Sequence, residues 1–110
     1  MPLFATTADA PWRDVAPGVR RQILSHDPAM MTVRVAFEKG AVGAMHQHPH
    51  TQVSVVERGV FDVTIAGETK RLQEGDIYHV PSDAVHGCVA VEAGALLDVF
   101  TPRRDEFLDD

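Results

Sequence analysis

Alternate histidines followed by a glutamine stand out in the stretch GAMHQHPHTQ, residues 43–52. His46 and His48 are two residues apart, so on a strand both imidazoles would point to the same side, close enough to chelate one ion. Gln52 has the same parity and would add an uncharged amide oxygen. Neutral imidazole binds divalent first-row transition metals such as Ni, Zn, Mn, Fe and Co. The spacing therefore predicts a metal site, with ordinary polar side chains and no metal as the alternative.

A distant segment, GDIYHVPSDAVHG at residues 75–87, would bring a third imidazole to the same site. A Gly-Asp turn leads there into a short strand that ends near a proline, and His86 then falls on another strand. His50 shares the parity of the first pair but follows a proline. We therefore expect it at the rim, in contact with substrate, with metal ligation as the alternative. Tyr78 and His79 point to opposite sides of the short strand, and whichever faces inward would line the pocket.

Apolar and polar side chains alternate along the segments that would position these groups. Residues 32–37 read TVRVAF and residues 61–65 read FDVTI, the two-residue period of strands buried on one face. The predicted strands cover about residues 18–25, 30–38, 45–49, 52–57, 60–66, 69–73, 77–80 and 85–101, the last split near Gly94. Helix signals are almost absent. Short strands at turn spacing predict an all-β sandwich or barrel, of which the jelly roll is one form.

One domain is expected from a length of 110 residues, because two separate cores would each be too small to offset the entropy of the chain. Residues 18–101 would form the barrel. Residues 1–17 would lie over it as a strap, with Trp12 as a packing anchor, and residues 102–110 would form a C-terminal tail. We also expect a homodimer, because the strap of a partner would cover exposed sheet edges.

Charge and composition restrict the partners of the chain. Ten basic and 16 acidic residues give a net charge of −6, which argues against nucleic acid and acidic membrane surfaces. No stretch has the length of a membrane span, and the start, MPLFATTADAPW, lacks the basic and apolar regions of a signal peptide. The single cysteine, Cys88, cannot form an internal disulfide and fits a reducing compartment. We therefore expect a cytoplasmic protein.

The two histidine segments resemble the paired motifs of the cupins. Gly40 stands six residues before His46 and Gly59 closes the first motif, while Gly75 opens the second, in which Asp83 replaces the usual glycine. The resemblance implies a cupin-type double-stranded β-helix, a jelly-roll β-barrel, with four metal ligands: His46, His48, Gln52 and His86. All four would be neutral, so the charge of a divalent ion would be uncompensated and would attract an anionic substrate.

A second resemblance covers nearly the whole chain. Stretches such as GVFDVTIAGE and LLDVFTPRRDEFL look like those of the small pectin-degradation cupins, which linearise unsaturated uronates released from pectin and alginate. In that family an aspartate, a phenylalanine and an arginine complete the metal pocket, and Asp98, Phe100 and Arg104 stand at the matching positions. Arg103 directly precedes Arg104, which leaves the choice of arginine open.

The resemblance implies a substrate and a role for each of these residues. The substrate would be a 4-deoxy-4,5-unsaturated uronate, a small anionic sugar acid that binds the metal through its carboxylate and a neighbouring oxygen. Asp98, ionised near the cation, would move the proton during ring opening and ketonisation. Arg104 would clamp the carboxylate bidentately, and Phe100 would shape the floor of the pocket.

Other interpretations remain open at the level of sequence. Asp98 is equally compatible with a strand-end carboxylate paired with Arg103, and Arg104 with a solvated charge at the rim. Arg20 or Arg21 could supply the carboxylate clamp, because their opposite parity sends one of them inward. For the whole protein, the alternatives are a cupin dioxygenase and a non-enzymatic, metal-containing sensor or binding module, since a fold alone does not decide a function.

Overall fold

Eight β-strands and one short 3-10 helix form within residues 3–108, the part of the chain that the computed structural model describes. The strands are β1 (Arg13–Ala16), β2 (Val19–Asp27), β3 (Met30–Phe37), β4 (Val42–His46), β5 (Thr51–Ile65), β6 (Glu68–Gln73), β7 (Ile77–Val80) and β8 (His86–Thr101), and the 3-10 helix covers Asp105–Phe107. Residues 1, 2, 109 and 110, at the outer ends of the predicted strap and tail, lie outside the described residues. The all-β prediction is confirmed. No helix in the described part is long and apolar enough to cross a membrane.

Antiparallel pairing joins the strands in the order β1-β2-β3-β8-β5-β6, with β4 paired to β8 and β7 paired to β5. The long strands β5 and β8 pair along nearly their whole length, from Thr51 opposite Thr101 to Ile65 opposite His86. β8 also pairs with β3 through its second part and with β4 through its first part, so it belongs to both layers. Because β5 and β8 each run through both layers, the sheet folds over into the two layers of the predicted jelly roll and keeps edge strands such as β1.

The two strands predicted at residues 52–57 and 60–66 are one continuous strand, β5. The glycine of the ERG segment, Gly59, does not make a hairpin turn. It has a φ of 87°, and the register with β8 shifts several times around it. Such bulges bend a strand without ending its pairing, so the chain passes from one layer of the barrel to the other.

The split predicted near Gly94 is also absent, and β8 runs through this residue. The backbone of Gly94 lies against that of Arg58 and Gly59, so closely that a Cβ at position 94 would overlap the carbonyl oxygen of Arg58. The glycine is needed for this close approach of two strands rather than for a turn.

The predicted strap contains a strand, β1, that was not predicted from the sequence. Residues 13–16 form β1, which pairs with the edge of β2 and carries four exposed residues, so no apolar period marks it. Upstream, the amide nitrogen of the buried Gln22 donates hydrogen bonds to the carbonyl oxygens of Thr7 and Ala10, which fasten the segment to the barrel. Trp12 packs against Arg20, whose guanidinium carbon lies 4.4 Å from the ring centroid.

The interior of the barrel has an apolar part and a polar part. The main apolar cluster consists of Val19, Phe37, Ala41, Val56, Phe61, Val63, Cys88, Ala90 and Leu96. Five buried polar side chains lie beside it, and four of them are predicted site residues: His48, Gln52, Ser54, His86 and Asp98. Because buried polar groups are costly unless they are paired, these five side chains mark the candidate site.

Candidate metal centre

Three different strands and one loop bring the predicted ligands together. His46 is the last residue of β4 and pairs directly with His86, the first residue of β8, while Gln52 lies near the start of β5. The strand predicted over residues 45–49 instead ends at His46, so His48 reaches the site from the loop that follows. His46 and His48 therefore point to the same site because of the course of the loop after β4, and not because alternate residues of one strand share a face.

The three imidazoles form one compact group. Each offers a ring nitrogen, and these atoms lie within 4.8 Å of one another, so His46, His48 and His86 form a potential metal-binding cluster among the described residues. The ring centroids of His46 and His86 are 4.3 Å apart. His48 and His86 are buried, whereas His46 is exposed, so the group faces the interior on one side and solvent on the other.

Backbone carbonyl groups fix the protonation of each ring. The Nδ1 atoms of the three histidines donate hydrogen bonds of 2.8, 3.1 and 2.9 Å to the carbonyl oxygens of Ala44, His50 and Ala84. A carbonyl oxygen only accepts, so each Nδ1 carries the proton, and the Nε2 of a neutral ring carries a lone pair. This second hydrogen bond is typical of metal-binding histidines.

Gln52 adds an oxygen atom to the same point. Its Oε1 lies 3.1 Å from Nε2 of His48 and 3.2 Å from Nε2 of His86. Its amide nitrogen points away and donates to Oγ of Ser54 at 2.9 Å. With Nδ1 protonated, neither Nε2 can donate to the amide oxygen, so acceptor lone pairs face each other with no proton between them. A cation would satisfy all of them, and this donor set fits a divalent first-row metal.

Burial keeps the two inner imidazoles neutral. It lowers the pKa of His86 to about 4. Burial also lowers the pKa of His48, with the nearby positive charge of Arg104 as a second cause. Because a metal binds the unprotonated imidazole, both rings are in the binding form at neutral pH.

The departure from the motif at Asp83 leaves the local backbone conformation in place. Asp83 has a φ of 64°, the left-handed conformation that glycine usually supplies, and aspartate is one of the few other residues that adopt it readily. Its backbone N–H donates to the carbonyl oxygen of His48 at 2.8 Å, which ties the loop before His86 to the loop that carries His48.

Asp98 is buried in the wall of the cavity that His46 and His86 also line. Its Oδ1 accepts a 2.6 Å hydrogen bond from Ser54, and its side chain is buried. Burial raises the pKa of Asp98 to about 6, against the opposing effects of Ser54 and Arg104. The alternative pairing with Arg103 is wrong, because the Nε of Arg103 donates to Asp105 at 2.7 Å.

The structure distinguishes among the candidate arginines. Arg104 borders the same cavity as Asp98, with its guanidinium carbon 4.2 Å from the ring centroid of Phe107. Its side chain is only 15% exposed and donates to Glu106, so it is not a solvated rim charge. Arg21 borders the cavity as well, and its guanidinium carbon lies 3.8 Å from the ring centroid of Phe107. Arg20 is stacked on Trp12 instead.

A cavity of about 310 Å³ connects the ligands with these groups. Its lining includes His46, Gln52, His86, Asp98, Phe100 and Arg104. A larger groove of about 600 Å³, bordered by Arg20, Glu38 and Arg58, has none of these six residues in its wall. The smaller cavity is therefore the one in which a bound molecule would meet the ligands and the buried carboxylate together.

Comparison with known proteins agrees with this geometry. The sequence pattern of the cupin domain matches residues 33–100. The chain belongs to the cupin family. It is 39% identical over 102 residues, 91% of this chain and 93% of the relative, to the pectin degradation protein KdgF of Dickeya dadantii (strain 3937).

Two solved structures resemble this cupin over almost its full length. KdgF from Halomonas sp. has a TM-score of 0.91 and 42% identity, and the match covers 97% of this chain and 99% of that chain. An RmlC-like cupin from Shewanella frigidimarina NCIMB 400 has a TM-score of 0.94 and 37% identity, covering 97% and 96% of the two chains. The resemblance to the pectin-degradation cupins is confirmed.

His50 is placed differently from the other histidines of this cupin. Its backbone carbonyl oxygen accepts the hydrogen bond of His48, and the two ring centroids are 5.3 Å apart. Its own Nδ1 is buried and has no hydrogen-bond partner among the described residues. His50 therefore supports a proposed ligand through its backbone, and its predicted contact with substrate remains a prediction.

Of two further polar side chains at the cupin site, one gave no signal in the sequence and the other was one of two alternatives. Ser54 is fully buried between Gln52 and Asp98, and serines on strands give no signal of such a role. Tyr78 was one of two candidates for the inward position, and it borders the cavity while His79 is exposed. Burial raises the pKa of Tyr78 well above its ordinary value, with the charge of Asp98 as a further cause.

Proposed function

We propose that the protein is a metal-dependent enzyme that converts 4-deoxy-4,5-unsaturated uronate monosaccharides to linear, ketonised products. The proposed metal ligands are His46, His48, Gln52 and His86. The observation that carries the proposal is a single cavity in which His46, Gln52 and His86 meet a buried carboxylate and a nearly buried guanidinium group. The similarity to two KdgF proteins, one of them named as a pectin degradation protein, supports the substrate class.

The charges in the cavity favour a small anionic sugar acid. Although the net charge of the chain is −6, Arg104 and Arg21 both border the cavity, and the ligand set is neutral. Local charge decides which molecule a site attracts. The Nε of Arg104 donates to Glu106 at 2.7 Å, and the two outer nitrogens of the guanidinium group would bind a substrate carboxylate. The ring of Phe100 forms an apolar surface beneath it.

The proposed reaction is an isomerisation that needs no co-reactant. A bound divalent ion would act as a Lewis acid toward an oxygen of the substrate. Asp98 takes the proton of the hydroxyl on C1, the bond between C1 and the ring oxygen breaks, and an aldehyde and an enolate form. Asp98 then gives the proton to C4, and the carbon at position 5 becomes a ketone. A carboxyl group with a pKa of about 6 can accept and return a proton near neutral pH.

The test is turnover of unsaturated monouronate by the metal-loaded protein, followed as loss of ultraviolet absorbance of the enol ether. We expect acceleration over the uncatalysed rate that disappears with a chelator and in His46→Ala. His79→Ala, at an exposed histidine on β7, is the matched control and should retain activity. Absence of acceleration with Ni, Zn, Mn, Fe and Co would contradict the proposal. Oxygen consumption would then favour the dioxygenase, and tight metal binding without either reaction would favour a binding module.

We further propose that the protein acts in the cytoplasm as a homodimer. β1 lies at one edge of the sheet and exposes all four of its residues, which a second copy could cover. The cysteine, Cys88, is a buried free thiol, as expected in a reducing compartment. Sedimentation at high protein concentration tests the dimer, and a single species of 12.0 kDa would contradict it.

A further inference from the structure

The strand register places one small polar residue between the proposed metal ligands and the proposed proton-transfer group. Ser54 on β5 pairs with Asp98 on β8 and with Tyr78 on β7, so the three residues form a cross-strand row. Gln52 precedes Ser54 by two residues and therefore points to the same face. The side chain of Ser54 is completely buried, so water does not compete for its hydroxyl group.

The two hydrogen bonds of Ser54 have fixed directions. The hydroxyl group donates its one proton to Oδ1 of Asp98 at 2.6 Å, and its oxygen accepts from the amide nitrogen of Gln52 at 2.9 Å. If the amide turned over, its oxygen would face the oxygen of Ser54, and its NH2 group would face the imidazoles. An amide NH2 group has no lone pair to give to a metal, so only the observed orientation supplies a ligand.

We propose that Ser54 is a positioning residue that holds Gln52 in its ligating orientation and Asp98 in place for proton transfer. The first role depends only on the metal site. The second rests on the proposed uronate reaction. Ser54 touches neither the metal nor the reacting atoms in this scheme and acts through its two neighbours.

Replacing the amide of Gln52 by a carboxylate distinguishes two effects of Ser54→Ala: the loss of the correct orientation of residue 52, and a general loss of packing. In Gln52→Glu both side-chain oxygens are possible ligands, so the side chain needs no partner to choose its orientation. We therefore expect Ser54→Ala to weaken metal binding about 10-fold in the native background, the size of effect typical for partners of metal ligands, and about twofold or less in the Gln52→Glu background. Affinities for Ni²⁺ and Co²⁺ are measured by competition with a chromophoric chelator, and the visible spectrum of the Co²⁺ form reports the change in ligands.

A matched variant controls for the loss of a hydroxyl group as such. Ser25 shares a 2.6 Å hydrogen bond with Thr32 and does not border the cavity, so Ser25→Ala should leave the affinity and the Co²⁺ spectrum unchanged. Ser54→Cys keeps a side chain of similar size with a weaker donor, and the same background-dependent loss is expected if Ser54→Ala does not fold. Equal losses in both backgrounds, or no loss in either, would overturn the positioning of Gln52.

The catalytic role has its own measurement. With saturating metal, Ser54→Ala should lower kcat about 10-fold with little change in KM, and it should add no further loss in an Asp98→Asn background. A full additional loss in that background would overturn the positioning of Asp98. If the native protein does not turn over the uronate, the proposed function fails, and the metal titrations alone then decide whether Ser54 orients Gln52.

Discussion

The two parts of β5 face the same interior with different side chains. Before the bulge, Gln52 and Ser54 belong to a hydrogen-bonded polar network beside the proposed metal ligands, whereas Phe61 and Val63 beyond it belong to the apolar cluster. Burial of apolar surface stabilises a fold, while burial of polar and charged groups costs free energy that hydrogen bonds only partly return. The difference indicates that the apolar cluster provides stability, whereas the polar network costs stability and would be retained for the proposed reaction.

The largest expected effect tests the apolar side of this comparison. Phe61 is fully buried and meets Phe37 edge to face, with 5.2 Å between ring centroids. Phe61→Ala should lower the free energy of unfolding by about 3–5 kcal/mol, because it removes buried surface and leaves a cavity. Chemical denaturation measures the loss. Phe4→Ala, at a residue that is 87% exposed, should change stability by about 0.5 kcal/mol or less. A large loss of metal affinity in folded Phe61→Ala would break the division between the two parts.

A change in the polar network should instead affect turnover. Asp98→Asn keeps the shape of the side chain and an oxygen that can accept from Ser54, but it removes the group that exchanges a proton. We expect kcat to fall about 10²- to 10⁴-fold, the usual contribution of general acid-base catalysis, with unchanged metal affinity. Asp62→Asn, at a carboxylate paired with Arg71 on the surface, should keep full activity. Full activity of Asp98→Asn would remove Asp98 from the mechanism.

The same substitution should make the metal-free protein more stable at high pH. Because burial raises the pKa of Asp98 from 3.8 to about 6, the folded protein binds more protons than the unfolded chain between these pH values. The free energy of unfolding therefore falls as pH rises through this range, and the loss is complete above it. At 1.36 kcal/mol per pH unit, the native carboxylate costs up to roughly 3 kcal/mol at pH 8.

Denaturation of both proteins in chelator at pH 4 and pH 8 measures this cost. His86 has the opposite dependence, because its lowered pKa adds stability as pH rises above about 4, but it contributes equally to both proteins. The advantage of Asp98→Asn should therefore grow from pH 4 to pH 8. An advantage that shrinks with rising pH would show that the buried carboxylate is not a cost to the fold.

The sequence predicted the parts of the fold that follow local rules. The alternation in β3 and the spacing of His46, Gln52 and His86 within two motifs led to the strands and to the ligand group. It did not predict the continuity of β5 and β8, because that depends on a close approach between Gly94 and Arg58, which are far apart in the chain. The hydrogen bonds of Ser54 were missed for the same reason, since its partner on β8 follows only from the register between β5 and β8.

The smallest expected effect concerns two neighbouring arginines that the sequence could not distinguish. Arg104 borders the cavity of the polar network, whereas Arg103 points toward His26 and Asp105. Arg104→Lys keeps the charge but loses the planar fork that binds a carboxylate through two nitrogens, so we expect KM for the uronate to rise about 10-fold, or roughly 1.4 kcal/mol. Arg103→Lys is the matched control and should leave KM unchanged. If both substitutions raise KM equally, the substrate is attracted by the positive charge of the tail in general. Bidentate binding by Arg104 would then be excluded as the cause.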